Sequence, residues 1–213
     1  MKIDFVSDIA CPWCAVGLAS LQTALARLPA DLPVELHFQP FELDPSMPRE
    51  GRDIHELLAQ KYGMTPEQVT ASQENIRQRG AAVGFEFRMD RRTRSYNTFD
   101  AHRLLHWAGI EGHQAALKRA LLKAYFTDGG DPSDPELLAR VAAEVGLDGE
   151  RARSILAGDE FAAEVRQREK FYLDAGIHSV PAVIIDDRHL IQGGQPPEVF
   201  EQALRQLAAQ PAE

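Results

Sequence analysis

The only cysteines of this 213-residue chain, Cys11 and Cys14, are separated by two residues. A fold held together by disulfides spreads many cysteines along a short chain, so that class of fold is excluded. A structural zinc site needs four ligands, and the helical pair His102 and His106 lies about 90 residues away, far beyond the gap of a zinc finger. We therefore interpret these histidines as ordinary helix residues with local partners. A close cysteine pair in a reducing compartment is more often catalytic or metal-binding than structural.

The cysteine pair stands where a strand pattern changes to a helix pattern. Residues 2–7 alternate as a short strand, and helical spacing runs from Pro12, which suits a first helical position, to about Leu28. Free backbone N–H groups at a helix start stabilise negative charge, so Cys11 is expected to have a lowered pKa and to act as the nucleophile. Cys14 follows one turn later and is placed to attack a mixed disulfide. Two free cysteines in a core are the alternative.

The remaining patterns divide the chain into three segments. Residues 33–39 alternate as a second strand, which makes the first segment a strand–helix–strand unit with an expected right-handed crossover. The middle segment is helical, and the last reads helix–strand–strand–helix, with strands at 181–186 and 189–192. The predicted segments are 1–48, 49–158 and 159–213. Within the middle segment, helices are predicted over 97–108, 111–126, 134–145 and 149–157, after capping boxes that begin at Asp53 and Thr65.

Charge and hydropathy limit the partners and the location. Lys and Arg number 23 against 32 Asp and Glu, a net charge of −9, which argues against a general binder of nucleic acid or anionic membranes. The first eight residues carry two aspartates and do not read as a secretory leader. No apolar run approaches the length of about 18 residues that a spanning helix needs. The chain is therefore expected to be cytoplasmic.

Several motifs together resemble a known family. Cys-Pro-Trp-Cys after a first strand, and Ser-Val-Pro at 179–181 before a late strand, are similar to the thioredoxin superfamily. The long helical segment between them resembles the DsbA family, and residues 41–45, 97–103 and 125–129 resemble its cytoplasmic FrnE-like branch. The resemblance implies an α/β, thioredoxin-like fold with an inserted all-helical domain. It also implies a thiol–disulfide oxidoreductase that acts on a disulfide-containing protein or a small-molecule thiol.

The resemblance also assigns residue roles. It implies that Cys11 is the nucleophile, Cys14 the resolving thiol and Pro181 a cis-proline, with Val180 offering its backbone N–H and C=O to an extended substrate. Pro12 and Trp13 are expected to contact that substrate as well. Where the periplasmic relatives have a histidine between the cysteines, this chain has Trp13, so we expect a less oxidising couple. Neither a metal nor a tightly bound organic cofactor is required, and glutathione stays open as a co-substrate.

Two further activities stay open at this point. The same superfamily contains 2-hydroxychromene-2-carboxylate isomerases and kappa-class glutathione transferases, in which serine typically stands where Cys11 does. A glutathione-dependent isomerase or transferase is therefore the second hypothesis, and a non-catalytic chaperone or partner-binding module is the third. Both leave Cys14 unexplained, which favours redox chemistry. The physiological substrate, the electron donor and the oligomeric state, including a homodimer, stay open.

Weaker candidates surround the motif. His178 could bring a positive charge or a proton to the sulfurs, or it could be a solvated loop histidine. Glu42 could be a buried carboxylate that moves protons for Cys14, or a residue of a surface turn. The stretch 77–94 holds six basic residues, which could dock glutathione carboxylates or an acidic partner, although a solvated basic face is the expected reading.

Overall fold

The structure is a computed structural model that describes residues 1–209. Strands and helices alternate at both ends of the chain, whereas helices dominate the middle. The strands are β1 (Lys2–Ser7), β2 (Glu35–Pro40), β3 (Arg52–Asp53), β4 (Arg94–Ser95), β5 (Ala182–Ile185) and β6 (His189–Gln192). The helices are α1 (Pro12–Ala26), α2 (Ile54–Tyr62), α3 (Pro66–Ala82), α4 (Phe99–Ile110), α5 (Gln114–Phe126), α6 (Pro135–Glu144), α7 (Gly149–Ala157), α8 (Ala162–Asp174) and α9 (Pro197–Ala208). Positions 210–213, the end of the third predicted segment, lie outside the described residues.

Four strands form the main sheet, in the order β2-β1-β5-β6. β1 and β2 run parallel with Phe5 opposite Phe38, as a strand–helix–strand unit requires. β5 runs antiparallel to β1, with Val183 opposite Phe5, and β6 runs antiparallel to β5. The predicted α/β class and the predicted antiparallel pair near the end of the chain are therefore confirmed.

The central position of β1 fixes the segment that carries the cysteines. Ile3 and Phe5 have 0% of their surface exposed, because both faces of β1 are covered. On one face α1 and α9 pack together and bury Leu21 and Phe200. Full burial of each such side chain contributes about 1.5–3 kcal/mol. The turn that follows β1 therefore leaves from the most firmly held strand of the sheet.

The helical middle packs on the edge of this sheet. α4 and α5 of this segment lie against β2, as does α8 of the following segment, so side chains of these helices come close to the end of β1. Thr65 forms both bonds of the predicted capping box, and the Asp53 carboxylate accepts from two backbone N–H groups of α2. The short β3–β4 pair was not predicted, because two-residue strands carry no periodic signal. The boundaries at 48/49 and 158/159 stay a prediction, and within residues 1–209 no helix has the length and apolar character to cross a bilayer.

Candidate active site

The two cysteines begin α1. Cys11 is the N-cap residue and its side chain makes no capping bond, while Pro12 occupies the first turn. The backbone N–H of Cys14 donates to the carbonyl oxygen of Cys11 at 3.1 Å. Both are free thiols; Cys11 is 4% exposed and Cys14 is 0% exposed. The first sulfur is thus at the edge of the protein interior and the second is inside it.

The two thiols have opposite acidities. The hydrogen bond from the Cys14 thiol is the largest cause that lowers the pKa of Cys11. The backbone N–H groups of Cys14 and Trp13 lower the Cys11 pKa further, and these effects outweigh burial and the charge of Asp8. Burial, followed by the interaction with Cys11, raises the pKa of Cys14 well above its usual value. The negative charge of the pair is therefore favoured on Cys11, and the proton stays on Cys14.

The loop before β5 closes over the first cysteine. The Val180–Pro181 peptide bond is cis. The Cys11 thiol donates to the carbonyl oxygen of Val180 at 3.7 Å. A methyl group added at Gly17 on α1 would lie 3.0 Å from Cγ of Pro181, so a glycine at this position allows the helix and the loop to approach each other.

Trp13 is held between two other parts of the chain. Its carbonyl oxygen would lie 3.0 Å from a methyl group added at Gly194, in the segment after β6. The guanidinium of Arg79 on α3 lies 6.0 Å from the centre of the Trp13 ring and donates to the carbonyl oxygen of Gly194 at 3.2 Å. A cation from the helical segment therefore stands beside the motif.

Asp8 forms a buried network that the sequence analysis did not predict. Its Oδ1 accepts from the Thr98 hydroxyl at 2.7 Å and lies 3.4 Å from His102 Nε2, and its Oδ2 accepts from the backbone N–H of Leu43 at 2.8 Å. Burial alone would raise the pKa of Asp8, but these bonds outweigh it and hold the pKa below its ordinary value. The interpretation of His102 as locally paired was wrong, because its partner is 94 positions away in the chain.

Arg92 is also buried at this site, which corrects the expectation of a uniformly solvated basic face over 77–94. Its Nη2 donates to the carbonyl oxygen of Ala10, next to Cys11, at 3.3 Å. Its Nε donates to the Tyr125 hydroxyl at 3.0 Å, and the guanidinium stacks over the rings of Tyr125 and Phe126. These aromatic partners hold a cation next to the turn that precedes the cysteines.

The two weaker candidates occupy different environments. The Glu42 side chain is 1% exposed, so a surface turn is excluded; one oxygen accepts from Arg166 on α8, and the other has no partner among the described residues. Burial is the largest cause that raises the pKa of Glu42, the charge of nearby Glu169 adds to it, and Arg166 opposes both. His178 is exposed and precedes Val180 at the rim of the site. The proton-transfer roles expected of Glu42 and His178 stay predictions.

Lys118 is a second site residue that sequence reasoning missed. It lies on α5 with 0% of its surface exposed, and its amine is affected by the charges of Cys14, Asp8 and Cys11. Burial lowers the pKa of Lys118 to about 8. The sequence carried a signal for this residue. Lys118 lies one helical turn before Leu121 and Leu122 and therefore occupies the apolar stripe of α5.

A cleft of about 530 Å³ opens in front of the first cysteine. It brings together most of the predicted site residues: Cys11, Pro12, Trp13, Glu42, His178 and Val180. The other lining residues include Met47 and, from the helical segment, Ile54, Leu57, Leu58, Tyr62, Met64 and Ile76, so this part of the cleft is mainly apolar. Cys14 and Pro181 are not among the lining residues. An apolar cleft with a few polar groups around one reactive sulfur is typical of a substrate site.

Within residues 1–209, no three or more His, Cys, Asp or Glu side chains are grouped so that they could hold a metal ion. The predicted alternative of a zinc site that includes His102 and His106 is also disfavoured by the contacts of both rings: His102 faces Asp8, and the His106 ring lies 5.2 Å from that of Phe161.

Known proteins share this architecture. A family model described as DSBA-like thioredoxin domain matches residues 2–205. The probable DsbA oxidoreductase SCO1869 from Streptomyces coelicolor is 38% identical, with a TM-score of 0.93 over 100% of this chain and 92% of that one. The uncharacterized protein YwbO of Bacillus subtilis (strain 168) is 28% identical over 205 residues, which is 96% of each chain. These matches confirm the thioredoxin-like fold and the resemblance to the DsbA family, whereas the FrnE-like branch stays a prediction.

A more distant structure shows the fold alone. The cytosolic disulfide reductase DsbM from Pseudomonas aeruginosa, in a structure with GSH, has a TM-score of 0.70 at 15% identity. That match covers 99% of this chain and 100% of DsbM. The overall fold is therefore shared with a protein whose sequence has diverged widely from this one.

Proposed function

The chain belongs to the DSBA-like thioredoxin domain family, and we propose that it is a thiol–disulfide oxidoreductase with Cys11 as nucleophile and Cys14 as resolving thiol. One observation carries the proposal: at a single helix start, Cys11 is the N-cap residue and lines the cleft beside the carbonyl oxygen of Val180, while Cys14 is 0% exposed one turn behind it. Thiol–disulfide exchange needs a thiolate that attacks first and a second thiol that attacks the mixed disulfide afterwards. The lowered pKa of Cys11 and the raised pKa of Cys14 agree with that order of attack.

The first half of the reaction is an attack by Cys11. Its thiolate bonds to one sulfur of the substrate disulfide, the substrate S–S bond breaks, and the released sulfur leaves with the electron pair and takes a proton from water. The product is a mixed disulfide on Cys11. The carbonyl oxygen of Val180, beside this sulfur, can accept a hydrogen bond from the backbone of a bound peptide.

The second half is resolution by Cys14. Its thiol loses a proton and attacks the Cys11 sulfur, and the second substrate sulfur leaves as a thiolate that is then protonated. Two electrons have passed to the substrate, and Cys11 and Cys14 are joined by a disulfide. A thiol reductant restores the two cysteines by the same steps in reverse. The redox potential of the cellular compartment therefore decides the direction of electron transfer.

Glutathione is the reductant that we propose. The related DsbM fold is known in a structure with GSH. In the present chain, the exposed side chains of Lys61 and His178 line the cleft, and such side chains suit the carboxylates of that tripeptide. A reductase that depends on a thiol pool belongs in a reducing compartment, so a cytoplasmic location is part of the proposal.

The test is the reduction of a protein disulfide, such as those of insulin, with glutathione as the electron donor. The parent protein should turn over, Cys11→Ser should fall to the uncatalysed rate, and Cys14→Ser should stop as a stable mixed disulfide that mass spectrometry detects. The two variants are matched, since the same substitution is made three positions apart. An inactive parent would refute the proposal. Normal turnover by Cys14→Ser would favour the glutathione-dependent isomerase or transferase instead.

A further inference from the structure

Lys118 has an unusual position for a lysine. Its side chain is completely buried, and Nζ has no hydrogen-bond partner among the described residues. A buried amine without a partner opposes folding whether it is charged or neutral, because it loses its bonds to water. Its presence in the apolar stripe of α5 therefore needs an explanation other than packing.

The surroundings of Lys118 connect it to the resolving cysteine. α5 packs against α1, and the group that most favours the charged amine is Cys14, followed by Asp8 and Cys11. Because burial lowers the pKa of Lys118 to about 8, the amine can gain or lose a proton near neutral pH. The pKa of Asp8 is held low, so its carboxylate is a poor proton acceptor at the same pH.

Lys118 also borders a second cavity, which we call the α4–α5 cavity. It has a volume of about 240 Å³ and includes Lys118, Gln114, His102, His37, Gln39 and Arg168 among its lining residues. Neither cysteine lines this cavity, yet it is polar and large enough to hold water. Lys118 therefore borders a cavity whose water can exchange protons, and it is also close to the buried thiol of Cys14.

We propose that Lys118 is the general base of the resolving step: its amine takes up the proton of Cys14 and releases it into the α4–α5 cavity. The inference rests on the proposed function. Cys14–SH and the neutral amine become a thiolate and an ammonium; the thiolate attacks the Cys11 sulfur of the mixed disulfide, and the substrate sulfur leaves with the electron pair. The ammonium then loses the same proton to water, and the departing thiolate takes one from water, so the charge balances.

Other titratable groups lie around Lys118, and their protonation also contributes to the pH dependence of the reaction rate. From α1 and the turn before it come Cys14, Cys11 and Asp8. Across the α4–α5 cavity stand His37 of β2, His102 and His106 of α4, and Arg168 of α8. These groups stay in place in a Lys118 variant, so a difference between the two pH profiles isolates the lysine.

The first experiment separates the two halves of the reaction. When the reduced protein is mixed with the aromatic disulfide 5,5′-dithiobis(2-nitrobenzoate), Cys11 releases one coloured thiol and Cys14 releases the second. In Lys118→Met, the first phase should stay within about twofold of the parent rate, while the second should slow by about tenfold or more near pH 7 and gain speed with rising pH. Lys123→Met, on the same helix but exposed and paired with Asp128, should match the parent in both phases. An unchanged second phase in Lys118→Met overturns the inference.

The second experiment does not depend on turnover. In a Cys11→Ala background, the ultraviolet absorbance of the thiolate reports the titration of Cys14 alone. Lys118→Met should move that midpoint upward by about one pH unit, because the amine that takes up the thiol proton, and then stabilises the thiolate as an ammonium, is gone. A midpoint that stays in place refutes the role of Lys118, even if the parent reduces disulfides. A parent that never turns over refutes the proposed function, and the titration still decides whether the lysine controls Cys14.

Discussion

His102 Nε2 lies 3.4 Å from Asp8 Oδ1, and both side chains are 2% exposed. The contact joins α4, in the middle of the inserted segment, to the turn between β1 and the first cysteine. It is therefore one of the bonds through which the helical segment and the sheet hold the motif in a fixed place. A buried carboxylate in such a network stabilises the fold only while it is ionised.

The fall of the unfolding free energy at acid pH should depend on Asp8. Its pKa is below the usual 3.8, although burial alone would raise it, because His102, Leu43 and Thr98 favour the carboxylate. In the pH range between the lower folded pKa and the unfolded pKa, the unfolded state binds more protons. The stability contributed by Asp8 is therefore complete above pH 3.8 and is lost as the pH falls below it. Asp8→Asn should lower the unfolding free energy by about 2–3 kcal/mol at pH 7. In urea unfolding, the stability of this variant should then fall less steeply than that of the parent at acid pH.

Asp174→Asn is the control for this measurement, since Asp174 is 64% exposed and its partner among the described residues is Lys170 on the same helix. Its unfolding free energy should follow the parent within about 0.5 kcal/mol from pH 3 to pH 7. If the unfolding free energies of Asp8→Asn and the parent fall equally at acid pH, Asp8 is not ionised selectively in the folded state.

The site residues that could be predicted from the sequence are those that depend on local pattern. Cys11, Cys14 and Pro12 are recognisable because a strand, a helix start and their spacing lie within a few positions of each other. Glu42 could be named, but the choice between a buried carboxylate and a surface turn stayed open, because its partner Arg166 comes from a helix more than a hundred positions away. The role of a residue is therefore easiest to predict where the residues that contact it are also close to it in the sequence.

The residues that were missed lie where distant segments meet. Asp8 is an ordinary turn residue until α4 brings His102 to it. Lys118 stands at an apolar position of α5, but its closeness to Cys14 arises because α5 packs against α1. Arg92 belongs to a stretch that reads as a charged surface, but the rings of Tyr125 and Phe126 surround it. A polar residue at an apolar helical position is the one local signal that would have indicated such a site.

Gly17→Ala should impair catalysis more than stability. The added methyl group would lie 3.0 Å from Cγ of Pro181, so the loop must move by a few tenths of an ångström and carry Val180 away from Cys11. We expect a loss of about threefold to tenfold in kcat/KM for disulfide reduction, and about 1 kcal/mol in unfolding free energy. Gly149→Ala is the control, since its methyl group meets neighbours at an ordinary 3.4 Å. Equal activity of the two variants would contradict the role of the close approach.

Lys118→Met should make the protein more stable while it slows the resolving step. The pKa of Lys118 falls from 10.5 in the unfolded chain to about 8 in the fold because of burial, so the unfolded state binds more protons between these values. The parent should therefore gain stability as the pH rises from 8 to 10.5, and below pH 8 the lysine should cost about 3 kcal/mol. Cys14, with its raised pKa, gives the opposite slope, so the comparison is made in a Cys14→Ser background, where the difference between the two proteins reports Lys118. Urea unfolding at pH 7 and pH 10 measures it, and a gain that is equal at both pH values would count against this linkage.

The redox potential should respond to the residue between the cysteines. Trp13 brings no charge, and the lowered pKa of Cys11 comes mainly from the Cys14 thiol and the backbone N–H groups of α1. A cationic histidine at this position would stabilise the thiolate, and hence the reduced state, so Trp13→His should make the couple more oxidising by about 30 mV or more. Trp13→Phe keeps a ring without a cation and should leave the potential near that of the parent. Equilibration with glutathione buffers measures all three potentials. If both variants shift equally, the change comes from the lost indole contacts with Gly194 and Arg79, and charge does not set the potential here.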